Sequence, residues 1–158
     1  IDIIRQITRV VTKEAIIAIA RYSPLIEIGA GTGYWAKLLQ DAGADEMAFD
    51  AHPAQAGNNP HFKAVAHTKV LFGEPEDLLK HPDRTLFLCW PPYSDPMAAD
   101  CLKHYQGQHL IYIGEGESGC TGDHVFHSRL ETAWQKVESI CIPQWPGIHD
   151  YLTVYKRR

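Results

Sequence analysis

Apolar positions along this 158-residue chain follow two periodicities in turn. Ile3, Ile4, Ile7, Val10 and Val11 recur at helical spacing, so residues 2–11 are expected to form an amphipathic helix with one buried stripe. Thr12 is placed to N-cap a second helix through Ala20, which stops before Ser23-Pro24. Continuous apolar runs then mark strands at Leu25–Ile28, Glu46–Asp50, Lys69–Phe72, Thr85–Cys89 and His109–Ile113. Runs of this kind suit a parallel sheet covered on both faces. Helices are expected at Tyr34–Gln40, around Glu76–Lys80, at Met97–Tyr105 behind Asp95-Pro96, and from the Asp123 cap through Trp134. Lys136–Ile142 and Tyr151–Lys156, joined through Pro143–Asp150, read as a closing hairpin. Residues 51–60 contain Pro53, Gly57, Asn58, Asn59 and Pro60, a loop composition where a doubly wound domain usually has a helix. The alternation of strand and helix predicts one α/β domain over residues 1–158, with residues 1–22 as its N-terminal helices.

The first strand runs directly into Gly29-Ala30-Gly31-Thr32-Gly33, and the second ends on Asp50. A strand, a glycine turn, a helix and a later acid form the layout of a nucleotide-cofactor site, where the acid takes the ribose hydroxyls. The glycine register narrows the cofactor. A dinucleotide fingerprint needs a third glycine where this chain has Tyr34, which disfavours a nicotinamide-dependent oxidoreductase. Glu27 stands inside the strand end, where a carboxylate suits a cationic ligand and not a pyrophosphate. The bland alternative is a tight turn that needs left-handed backbone and nothing more.

The register from Glu27 to Gly33 resembles the first motif of the class I methyltransferases that use S-adenosylmethionine. The order of elements resembles theirs too. The resemblance implies a three-layer Rossmann-like methyltransferase fold, with a mostly parallel seven-stranded sheet and an antiparallel last strand. It also implies that Glu27, Gly29, Ala30, Gly31, Gly33 and Asp50 hold the cofactor, with Glu74 near the adenine. After the fourth strand, Cys89-Trp90-Pro91-Pro92-Tyr93 resembles the Asn/Asp-Pro-Pro-Tyr/Phe motif of amine-methylating relatives. Pro91, Pro92 and Tyr93 match. Trp90 departs, because an indole N–H donates only and cannot accept a bond from a target amine. Trp90, Pro92 and Tyr93 are therefore expected on the acceptor side, as an aromatic platform, with Trp90 beside the cofactor as well. From Pro24 to Arg158 the chain also resembles a group of small methyltransferase-like proteins without an assigned activity, through Leu86–Tyr93, Ile111–Glu115 and Trp145–Asp150.

Composition adds boundaries. The net charge is −4 and the basic residues form no run beyond Lys156-Arg157-Arg158, so a phosphate-tracking surface has little support. The expected acceptor is a small molecule, more than a protein or nucleic acid, with a homodimer open. Cys89, Cys101, Cys120 and Cys141 are widely spaced and form no paired motif, which reads as reduced thiols and a cytoplasmic setting. No apolar stretch reaches the ~20 residues of a membrane span. Asp2, Arg5 and Arg9 interrupt the first residues, which resemble no signal peptide.

Two further residues are candidates at the same sheet edge. Glu115 follows the fifth strand and reads either as a general base or a carboxylate orienting the acceptor, or as a solvated acid in a mobile loop. His149 lies in the hairpin turn with a side chain suited to proton transfer near neutrality, or is a structural histidine. Cys120, Asp123, His124 and His127 have spacing that could bind metal, but surface or packing roles are the default, and no metal is assigned. Methyl transfer from a sulfonium needs positioning more than a base. The expectation is S-adenosylmethionine-dependent methyl transfer to a small or planar acceptor; the alternative is a binding module that has lost transfer, motivated by Trp90.

Overall fold

A computed structural model describes residues 11–54 and 65–158. The helix expected over 2–11 and much of the loop expected over 51–60 lie outside the described residues. Seven strands form one sheet: β1 (Leu25–Ile28), β2 (Glu46–Asp50), β3 (Leu71–Phe72), β4 (Thr85–Cys89), β5 (His109–Gly114), β6 (Trp134–Ile140) and β7 (Tyr151–Arg157). Their spatial order is β3-β2-β1-β4-β5-β7-β6. The first five are parallel; β7 runs antiparallel to both β5 and β6. Among the described residues the helices are α1 (Lys13–Ala20), α2 (Tyr34–Asp41), α3 (Met97–His104) and α4 (His124–Ala133), with a 3-10 helix at Pro75–Lys80. Among the described residues no helix is long and apolar enough to cross a membrane.

The strands sort their side chains between two cores because successive residues face opposite sides. Leu25, Phe87, Ile111, Ile113, Leu152 and Val154 pack with Ala15 and Ile19 of α1 and with Trp35 and Leu39 of α2. Ile26, Ile28, Leu86, Leu88 and Leu110 pack on the other face with Leu78, Ala98, Leu102, Phe126 and Leu130. The result is helix layer, sheet, helix layer. The caps read from the sequence are made: Thr12 Oγ1 accepts from the Ala15 N–H at 3.1 Å, and Asp123 Oδ1 from the Phe126 N–H at 2.8 Å.

Two elements differ from expectation. The third strand is confined to Leu71–Phe72, paired only with Phe49 and Asp50. Before it, Val70 is buried against Ala36 of α2 and Ala48 of β2. The last helix stops at Ala133, and Trp134 already belongs to β6. Its ring stacks on Tyr105 at 6.1 Å, with the Arg157 guanidinium 4.5 Å from it. These contacts draw Trp134 into extended backbone that its helical spacing did not foretell.

Candidate functional site

The chain reverses its progress across the sheet at β1: β2 and β3 lie on one side, β4 and later strands on the other. Outside the C-terminal ends of β1 and β4 lies the crevice in which open α/β sheets bind ligands. A cavity of about 670 Å³ opens there. Its size lies in the usual range of small-molecule and cofactor sites.

One wall is the turn after β1. Gly29, Gly31 and Gly33 all have left-handed backbone, with φ of 79°, 57° and 71°. A Cβ on Gly29 would sit 2.9 Å from the Met97 Cε, and one on Gly33 would sit 2.9 Å from the Thr68 Cγ2. The turn is therefore both left-handed and closely packed, which calls for glycine. The N–H groups of Gly29 and Ala30 donate to the Phe49 carbonyl at 2.9 and 3.0 Å. The Gly31 N–H donates to Asp50 Oδ2 at 2.9 Å, while Asp50 Oδ1 accepts from the His52 N–H at 2.7 Å. Each oxygen keeps a second lone-pair direction, so half-buried Asp50 still has acceptor capacity toward the cavity it lines.

Glu27 reaches the same cavity from inside β1, with 2 % of its surface exposed. Its Oε2 is buried without a hydrogen-bond partner. Burial first, and then the charge of Asp50, push its carboxyl up to about 8. A buried carboxyl in this state gains from a cationic ligand, which returns the interactions lost with water. Glu74 lines the far end and N-caps the 3-10 helix, its own N–H donating to Asp77 Oδ2 at 3.0 Å.

The opposite wall is the loop after β4. Trp90, Pro91, Pro92 and Tyr93 all line the cavity, Tyr93 being 65 % exposed. Trp90 has left-handed backbone at φ 51°, unusual for a bulky residue. Its N–H donates to the Ile113 carbonyl at 2.8 Å, and the Pro91 carbonyl accepts from Gly122 at 3.0 Å, which fastens the loop to β5 and to the segment before α4. The indole Nε1–H donates to Asp150 Oδ2 at 3.0 Å. Cys89 lies beside both; burial, then the charges of Glu27 and Asp150, raise its thiol well above the usual range and keep it protonated.

Glu115 and His149 are not brought to the cavity. Glu115 is 6 % exposed and its carboxylate is consumed locally. Oε2 accepts from the Cys120 N–H at 2.8 Å and the Cys120 thiol at 3.0 Å, and Oε1 accepts from the His149 N–H at 2.8 Å. Burial alone would raise this carboxyl, but the bonds from Cys120 and His149 outweigh it and hold the group below its ordinary value. Glu115 is neither the solvated acid nor the poised base of the sequence reading: it ties the β5 loop to the hairpin turn. His149 contributes that backbone N–H and leaves its ring exposed. The histidines near Cys120 also separate. His127 is buried against the Thr121 carbonyl at 2.8 Å, and His124 pairs with Glu117 at 2.6 Å.

Several lining residues carried little signal in the sequence. Asp95, Met97 and Cys120 enter the cavity, and Tyr34 does so from the position that displaced a third glycine. Asp150 was visible only as one polar residue of a turn, yet it partners Trp90 across 60 positions of sequence.

Sheet order, switch point and crevice together define the class I, Rossmann-like methyltransferase fold. Solved structures share it. N-methyltransferase NodS from Bradyrhizobium japonicum, in complex with S-adenosyl-L-homocysteine, matches with a TM-score of 0.57 at 15 % identity, over 91 % of this chain and 84 % of its own. Magnesium protoporphyrin IX methyltransferase from Synechocystis, with bound S-adenosylmethionine, matches at 0.54 and 12 % identity, over 90 % and 74 %. MtNAS matches at 0.56 and 11 % identity; 92 % of this chain spans 58 % of the MtNAS chain. At such identities the likeness is one of fold. No protein-family model matches the chain, and no curated protein matches it by sequence.

Proposed function

We propose that this protein is an S-adenosylmethionine-dependent methyltransferase acting on a small or planar acceptor. The observation that carries the reading is Glu27, a buried carboxyl with an unpartnered oxygen, beside a left-handed glycine turn that Asp50 closes. S-adenosylmethionine supplies an activated methyl group on a sulfonium when it is bound. Glu27 suits the positive amino-acid end, Asp50 the ribose hydroxyls, and Glu74 the region of the adenine amino group. Gly29, Ala30, Gly31 and Gly33 keep side chains out of the space the cofactor needs. Two solved structures of the same fold hold S-adenosylmethionine or S-adenosylhomocysteine, which supports the assignment.

Trp90, Pro92 and Tyr93 form the acceptor wall in this reading. With Glu115 engaged elsewhere and the Cys89 thiol protonated, the chain works by holding the acceptor in line and excluding water. All four cysteines are free, in keeping with a cytoplasmic setting. Calorimetry with S-adenosylhomocysteine, followed by assay of its formation from S-adenosylmethionine with an acceptor panel, tests the proposal. Binding with turnover supports it; binding without turnover on any acceptor favours the non-catalytic module.

A further inference from the structure

Acids dominate the ionisable side chains of the described residues that line the cavity. Among the described residues that line it, Glu27, Asp50, Glu74 and Asp95 are acids, His52 is the one basic type, and there is no lysine or arginine. Glu27, Asp50 and Glu74 are taken up by the cofactor in the reading above, on which this inference rests. Asp95 also lines the cavity, from the loop that carries Pro92 and Tyr93 and just before Met97. Its Oδ1 accepts from the Met97 N–H at 2.8 Å, so its charge is held at the start of α3. Among the described lining residues an anionic acceptor would meet chiefly acids.

Trp90 adds a second, independent observation. Its indole N–H is bonded to Asp150, a residue outside the cavity lining and 4 % exposed. The donor-only group that departs from the amine-methylating motif is thereby withdrawn from the acceptor, and the ring remains as wall. A carboxylate on the indole N–H also enriches the ring in electrons, through the polarisation that a low-dielectric setting strengthens. Electron-rich indole is the best of the aromatic partners for a cation. The other oxygen of Asp150 is buried and unpartnered, so its charge is not spent on a further donor.

We propose that the outer cavity is an acceptor subsite for a neutral planar nitrogen base, held against Trp90 and Tyr93, whose positive charge on methylation is stabilised by Asp95 and by the Asp150-bound indole. The step balances without another reactant. The nitrogen lone pair forms the new N–CH3 bond, and the C–S bond breaks with its electron pair going to sulfur. Charge passes from sulfonium to nitrogen, and S-adenosylhomocysteine leaves neutral at sulfur. Where the nitrogen carried hydrogen, a proton is then lost to water. Interactions that grow as charge arrives on the acceptor are the ones that accelerate the step.

The test uses three probes of similar shape and different charge: quinoline, N-methylquinolinium and 2-naphthoate. Each is titrated by ligand-observed NMR into the full chain saturated with S-adenosylhomocysteine, whose own binding is measured first by calorimetry. N-methylquinolinium is expected to bind best, quinoline next, and naphthoate at least about tenfold more weakly than the cation. Tyr93→Ala should weaken the cation by about fivefold or more and leave S-adenosylhomocysteine affinity unchanged. Asp150→Asn keeps an acceptor for the indole but removes charge, so it should narrow the preference for N-methylquinolinium over quinoline. Naphthoate binding as tightly as the cation, binding of none of the three, or indifference of all three to Tyr93→Ala would overturn the proposal. Failure of S-adenosylhomocysteine itself to bind would instead overturn the cofactor reading beneath it.

Discussion

The Gly31 N–H donates to Asp50 Oδ2 over 2.9 Å, so the residue that ends β2 also holds the middle of the turn that follows β1. Asp50 thus holds the turn backbone, and in the proposed reading it also accepts from the ribose. Asp50→Ala removes both, and S-adenosylhomocysteine affinity is expected to fall by about 2–3 kcal/mol. Asp50→Asn keeps one acceptor oxygen and should lose less. Calorimetry on both variants, with circular dichroism to check the fold, measures the difference.

With Glu27 at the cofactor's charged end, as proposed, S-adenosylhomocysteine binding should depend on pH. In the ligand-free chain burial and then Asp50 raise its carboxyl to about 8. The ionised form is the one that faces an ammonium, so binding below that value releases a proton. S-adenosylhomocysteine affinity should therefore rise from about pH 6 to pH 8. Glu27→Gln should bind more weakly and lose that rise. A flat profile in the unaltered protein would remove Glu27 from the cofactor's charged end.

Glu46 links pH to folding instead. It is buried at the opposite end of β2, with both carboxylate oxygens unpartnered. Burial first, then the charge of Glu27, raise its carboxyl from 4.5 to about 9, against the opposing effect of Arg84. A folded-state pKa above the unfolded value means that the native chain binds the extra proton. The stabilisation is full below about pH 4.5 and is lost as pH rises toward 9. Glu46→Gln should abolish most of this loss, gaining on the order of 1–3 kcal/mol over the unaltered chain near pH 8. Urea unfolding at several pH values reads it directly.

These two acids illustrate how far the sequence was legible. Glu27 stood in a recognisable register next to three glycines, and its place beside the ligand cavity follows from local order along the chain. Strands β1, β2 and β4 were equally clear, because each is a short apolar run with turn residues at its ends. Glu46 gave no such signal: its burial depends on α2 and on neighbouring strands that close over it. Asp150 was obscure for the same reason. Its link to Trp90 exists because β7 pairs with β5 and brings the hairpin turn over the end of β4. Glu115 misled, since a carboxylate after a central strand looks available until the Cys120 and His149 donors fold onto it.

Glu115 therefore predicts a stability effect and no catalytic one. Glu115→Ala leaves the Cys120 and His149 N–H groups without their acceptor and should cost about 1–3 kcal/mol of folding free energy. S-adenosylhomocysteine affinity should stay within error at temperatures where the variant is folded. A large loss of affinity with unchanged stability would return Glu115 to the site.

The central claim is that the cavity above Gly29–Gly33 takes S-adenosylmethionine. Calorimetric titration of S-adenosylhomocysteine into the unaltered chain and into Gly31→Val tests it most directly. Gly31 lines the cavity in left-handed backbone, so a branched side chain there both strains the turn and enters the ligand's space. Saturable one-to-one binding is expected, lost in the variant while it remains folded by circular dichroism, with no binding of NAD to either protein. Absence of heat from S-adenosylhomocysteine, equal affinity in folded Gly31→Val, or preferential binding of NAD would contradict it.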